Sequence, residues 1–138
     1  MEKSLILVFR PFISEAMVKF IIKVIKCFTK QAHILSPIDR HLITKIASNE
    51  GVKEETIRER IIQEVYVNLY HLEDVLKKEG VEVTVCAIEM GLPEGLISAV
   101  KKINPTILVV LGPLETSVIE SLRDSLSVPM VLLPIEEK

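Results

Sequence analysis

Chemistry in this chain would have to come from a small set of residues, and the most telling of them surround Gly112. The run Ile107-Leu108-Val109-Val110-Leu111 reads as a buried strand, and Gly112-Pro113 ends it before a helix begins. In nucleotide-binding α/β proteins the turn at this place is rich in glycine, because backbone N–H groups must approach and cradle phosphate. Here Pro113 has no N–H to give, and Glu115 puts a carboxylate in the first helical turn, where the dipole already favours negative charge. No glycine follows Gly112. The turn reads as a phosphate site that is closed.

The remaining reactive side chains are scattered. His33, His41 and His71 stand with Cys27, Cys86 and Asp39 at no metal-ligand spacing and fall on different elements, so no metal and no cofactor is expected. Ser117 and Ser121 lack a Gly-x-Ser-x-Gly elbow, and helix capping accounts for Thr116 or Ser117 more simply. Cys86 lies inside an apolar run and reads as a small buried hydrophobe. No nucleophile, base and acid are grouped, so the sequence does not read as an enzyme. Tyr66 and Tyr70, four residues apart, share a helix face offset from its main apolar stripe. That face is either a partner surface or half-buried packing.

The elements that must position these residues follow from hydrophobic periodicity. With 138 residues, 49% of them hydrophobic, the chain fits one domain, residues 1–138, that fills its own core. Seventeen basic and nineteen acidic residues are interspersed, for a net charge of −2, so no electrostatic footprint for nucleic acid or an anionic membrane is present. Two cysteines without CxxC spacing, and no secretory leader, point to a reduced cytoplasmic compartment. The stretch 16–28 is broken by Lys19, Lys23 and Lys26 and falls short of the ~20 apolar residues a membrane span needs. With Lys30, these lysines form the solvated stripe of an amphipathic helix.

Strands are expected at 4–9, at 32–36 ended by Pro37, at 81–88, at 107–111 and from Met130. Helices are expected from Ser14 to about Lys30, over 53–79, from Pro93 to about Ile103 and over about 113–126. Residues 39–50 read as one or two helical turns broken by Asn49-Glu50-Gly51. The helix over 53–79 would reach roughly 40 Å and overhang its sheet. Partial alternation at Val81, Val83 and Val85 places that strand near an edge. Strands alternating with helices give right-handed crossovers and a five-stranded, parallel, doubly wound α/β sheet with helices on both faces.

With that series laid out, the chain resembles the universal stress protein family. The likeness lies in the strand spacing, the long second helix, and residues 83–94 (VTVCAIEMGLPE) followed by 105–112 (PTILVVLG). The close, 128–133 (VPMVLL), is similar to the family's last strand. The resemblance implies a Rossmann-like sheet of order 3-2-1-4-5. ATP-binding members carry an Asp after the first strand and a glycine-rich loop after the fourth. Arg10 or Pro11 stands at the first place, Thr106 replaces the usual Asp before strand four, and the loop glycines are missing. The resemblance is therefore to the branch without the ATP motif, small dimeric stress or regulatory proteins acting through protein partners. It also implies antiparallel pairing of the last strands in a homodimer, which would place Pro129, Val131 and Leu133 at the interface. In the order 3-2-1-4-5 the switch point lies between strands one and four, setting Arg10 opposite Gly112. The alternative function follows: a small-molecule sensor in which Arg10, Ser36, Gly91 and Gly112 line a remodelled pocket for an anionic ligand. The leading reading of Arg10 by itself is nonetheless an exposed loop residue neutralised by Glu115 or Glu15.

Overall fold

A computed structural model describes residues 3–9, 14–28, 30–112 and 114–133. The order is β1 (Ser4–Val8), α1 (Glu15–Phe28), β2 (Gln31–Asp39), α2 (Arg40–Glu50), α3 (Glu54–Lys78), β3 (Glu82–Met90), α4 (Glu94–Ile103), β4 (Ile107–Leu111), α5 (Thr116–Ser125) and β5 (Met130–Leu133). All strands are parallel, in spatial order β3-β2-β1-β4-β5. The doubly wound sheet expected from the sequence is the architecture found.

The two faces of the central strands are buried separately, as an alternating side-chain direction requires. Ile6 and Val8 of β1 join Val109 and Leu111 of β4 beneath α1 (Val18, Ile21, Ile25) and α3 (Leu69, Leu72, Leu76). Leu5, Leu7, Leu108 and Val110 point the other way, against Leu96 and Val100 of α4 and Val118 and Leu122 of α5. Five consecutive buried residues in both β1 and β4 are the consequence. Edge strand β3 is less covered, and Thr84 and Ile88 on its α4-side face are exposed.

Helix ends follow sequence chemistry in several places. Ser14 Oγ accepts the Met17 N–H at the start of α1, and Glu54 and Glu55 open α3 while Lys77 and Lys78 close it, as the helix dipole favours. The start of α5 and its cap differ from expectation. The helix starts at Thr116 rather than near 113, and neither Thr116 nor Ser117 caps it, because Glu115 holds the N-cap position without a side-chain hydrogen bond.

Residues 39–50 differ most from the sequence reading. They form an 11-residue helix, about three turns, where one or two were expected. Asp39 accepts the His41 N–H and caps its start, and Gly51, at φ 67°, takes the left-handed conformation that ends it. The Gly that seemed to break the pattern is the terminator of a complete helix. α2 then folds back on the start of α3, and Ile38, Ile43, Ala47 and Ile57 make a third, smaller core. The 25 residues of α3 extend about 37 Å, so this hairpin stands beyond the carboxyl ends of the strands.

Strand β2 also runs past its expected end, through Pro37 to Asp39. Its register with β1 pairs residue i with i + 28, so the donor to the Val8 carbonyl would be the N–H of residue 37. Proline has none. The buried Ser36 hydroxyl donates to the Val8 carbonyl instead, at 2.8 Å, and the strand continues against β3.

An ion-pair network ties the hairpin to β3. Glu89 accepts from Arg58 of α3 and from Arg40 of α2 (3.3 Å), and Arg58 also pairs with Glu55 at 2.9 Å. The Arg58 hydrogen bond, opposed by some burial and helped by the charge of Arg58 and by Arg40, holds the Glu89 carboxyl below the usual glutamate range. A carboxylate with a depressed folded pKa stabilises the fold above its unfolded pKa and loses that contribution as pH falls through the folded value. Glu89→Gln is therefore expected to remove part of the stability lost below pH 4.5, a glutamate's ordinary value. Urea midpoints measured from neutral to acid pH would show a shallower acid limb in the variant. An unchanged limb would assign acid sensitivity elsewhere.

Candidate functional site

Open parallel sheets bind ligands beyond the carboxyl ends of their strands, where the strand order reverses. Here that place, between β1 and β4, opens into a cavity of about 630 Å³. Its floor is the exit of β1 and β2, namely Phe9 and residues 36–39. The α2–α3 hairpin forms one wall through His41, Leu42 and Ile46 and through Ile61, Glu64 and Val65. Leu92, Leu114, Glu115 and Val118 close the opposite side. The lining is mainly apolar, and its charged groups are Asp39, Glu64 and Glu115, with no lysine or arginine among the described lining residues.

The residues singled out from the sequence are distributed around this cavity unevenly. Ser36 lines it, but its hydroxyl is committed to the Val8 carbonyl. Gly91 and Gly112 are not among the lining residues, although Leu92 and Leu114 beside them are. Gly112 has φ 108°, a conformation that side chains rarely adopt, so its need for glycine is satisfied by the turn leaving β4. Arg10, Pro113 and Pro134 lie outside the described residues. Of the hairpin's arginines, Arg40 and Arg58 are engaged with Glu89, and Arg60 pairs with Glu50 at 3.3 Å.

The hairpin wall is not evident from hydrophobic spacing, because that spacing makes α2 too short. Asp39 followed by Gly51, a capping residue and a left-handed stop twelve positions apart, carried the signal.

One pairing emerges that no spacing suggested. His33 Nε2 lies 3.4 Å from Cys86 Sγ, joined by the β2–β3 register across 53 residues. Burial, with a smaller contribution from Lys3, pushes the imidazole pKa down, and burial pushes the thiol up. Both groups are thus neutral at pH 7, the reverse of an activated thiolate–imidazolium pair. Cys86 is half-buried rather than fully buried. Among the described residues, no three His, Cys, Asp or Glu side chains are placed to hold a metal, and no helix is long and apolar enough to cross a membrane.

The edges of the sheet differ. β3 is flanked by α3, whose Tyr66 hydroxyl accepts the Ala87 N–H at 3.2 Å. Tyr66 also stacks obliquely on Tyr70, ring centroids 5.5 Å apart, with Tyr70 55% exposed. β5 has four residues. Val131 and Leu133 turn toward the α1–α3 core, and Leu132 is 47% exposed. Of the three expected interface residues, Pro129 is exposed, and Val131 and Leu133 are half-buried against that core.

No family model matches the chain, and no curated protein matches it in sequence. Solved structures do match over the full length. The hypothetical protein MJ0577 superposes with a TM-score of 0.70 at 16% identity, covering 100% of this chain and 99% of that one. A universal stress protein from Archaeoglobus fulgidus gives 0.63 at 13%, covering 96% and 93%. A universal stress protein in complex with cAMP gives 0.53 at 10%, covering 96% of each chain. Likeness at such identity speaks to architecture, and on it the chain has the fold of the universal stress proteins.

Proposed function

We propose that this chain is a universal-stress-like cytoplasmic protein, homodimeric through β5, that acts in stress response or regulation by protein interaction, without ATP and without chemistry of its own. The fold shared with universal stress proteins supports the general class. The observation that carries the absence of ATP is the lining of the switch-point cavity. A triphosphate is held by N–H groups, lysine or arginine, and the described lining has no lysine or arginine and sets the carboxylates of Asp39, Glu64 and Glu115 around the space. Like charges set around a phosphate oppose its binding.

Calorimetric titration of the full-length chain with ATP, AMP and cAMP, with native mass spectrometry of the same preparation, tests the reading. Dimers that carry no nucleotide and release no heat are expected. Stoichiometric micromolar binding of any of the three would overturn it.

A second reading, a small-molecule sensor, is favoured by the cavity itself, whose volume is in the range of about 300–1,000 Å³ usual for ligand sites.

A further inference from the structure

His33 and Cys86 take no part in lining the cavity. They stand on adjacent strands, on the α4-side face of the sheet, with Nε2 3.4 Å from Sγ. Cover is thin at this border. Thr84 and Ile88, two residues either side of Cys86 on the same face of β3, are exposed, and Cys86 itself is only half-buried. His33 also lines an open hollow of about 400 Å³ with Lys3, Gln31 and Thr84. An imidazole nitrogen and a thiol sulfur thus face each other within reach of solvent, and the imidazole is neutral at pH 7, the form that ligates a metal.

A hydrogen bond between two neutral groups accounts for the contact as it stands, and the thiol proton is what a cation would displace. The S–H bond breaks, bonds from the ion to Sγ and to Nε2 form, and one proton leaves to water. For a monovalent ion the net charge of the pair is unchanged, whichever ring nitrogen carries the remaining hydrogen. A divalent ion would leave a positive charge in a half-buried place near Lys3, whose ammonium already disfavours charge on the His33 ring. Zinc also asks for four ligands, and among the described residues no third His, Cys, Asp or Glu joins this pair. Copper(I) is monovalent, favours soft thiolate together with imidazole, and is satisfied by two ligands in line. With bonds to sulfur and nitrogen of about 2 Å each, as for zinc, a linear bridge spans roughly 4 Å, within about 1 Å of the present 3.4 Å. Side-chain rotation at an open sheet border supplies that difference. We propose that His33 and Cys86 form a two-coordinate site for a soft monovalent cation, copper(I), held between Nε2 and Sγ.

The probe is copper(I) itself, titrated without oxygen at pH 7 into the reduced chain in competition with the chelator bicinchoninate. The chain carries Cys27→Ser, which removes the other, exposed thiol. One copper per chain is expected, with the release of one proton seen as a buffer-dependent heat. In the same background His33→Gln is expected to weaken copper by at least about tenfold, Cys86→Ser to abolish its binding, and zinc to bind far more weakly than copper. Silver(I), of the same charge and ligand preference, gives a readout that changes neither His33 nor Cys86 and so stands even where a variant fails to fold. One equivalent should move the Nε2 resonance of His33 and leave those of His41 and His71 in place. Copper affinity unchanged by His33→Gln would mean a thiolate acting alone and would overturn the site. Copper retained by Cys86→Ser, zinc bound as tightly as copper, or a His33 resonance indifferent to silver would overturn it equally.

Discussion

Replacing Ile57 with alanine is expected to lower the unfolding free energy by about 2–5 kcal/mol, the range for truncating a buried isoleucine, and to free α2 before the sheet opens. Ile57 is 1% exposed and is the buried residue that α3 contributes to the small core shared with Ile38, Ile43 and Ala47, with Ile61 and Ile62 partly buried beside it. That core is separate from the two clusters on either face of the sheet. Few side chains hold the hairpin, so loss of one removes a large part of what fixes it. Hydrogen exchange alongside a urea titration checks the expectation. Amides of α2 should lose protection first while those of β1 and β4 keep theirs. Uniform loss across the chain would mean that the hairpin and the sheet open as one unit. Because the hairpin walls the cavity, any ligand-induced rise in melting temperature should vanish in the same variant.

Ser36→Ala is the second substitution with a large expected effect, about 1–3 kcal/mol, because it leaves the buried Val8 carbonyl without its donor. The cause can be separated from mere loss of a hydroxyl. Residue 37 is where a ladder N–H would reach Val8, so Ser36→Ala combined with Pro37→Val is expected to recover much of the lost stability. Urea midpoints of the two single variants and the double variant give the coupling directly. Additive losses would show that the Val8 carbonyl is satisfied in some other way.

What the residues announce in advance divides along the same physical lines. Buried strands such as Ile107–Leu111, and a helix with the periodicity of α3, are set by which side chains must leave water, and hydrophobic spacing records that. Helix length at α2 depended on reading Gly51 as a stop rather than a break, a distinction made by its left-handed φ. The end of β2 turned on Pro37, which ordinarily argues against a strand interior, and only the register with β1 reveals that Ser36 supplies the missing donor. The turn at Gly112 leaves β4 at the end of the sheet where the cavity opens, without lining it. The cavity that opens there is lined by residues from Phe9 to Val118, up to 109 positions apart, whose meeting no local pattern encodes. The His33–Cys86 contact is hidden for the same reason.

The hydroxyl of Tyr66 has a consequence for how copies of the chain can add to one another. A five-stranded open sheet has two borders, and a parallel sheet offering both could grow head to tail, β5 of one copy against β3 of the next, into a filament without end. On the register with β2, the Ala87 N–H points away from that neighbour, along the border of β3, and it is the group Tyr66 occupies. Satisfying it from within the protomer, beside α3, removes one of the donors that this border would offer to an added strand. One phenolic oxygen on a long helix thus makes head-to-tail growth along β3 less favourable.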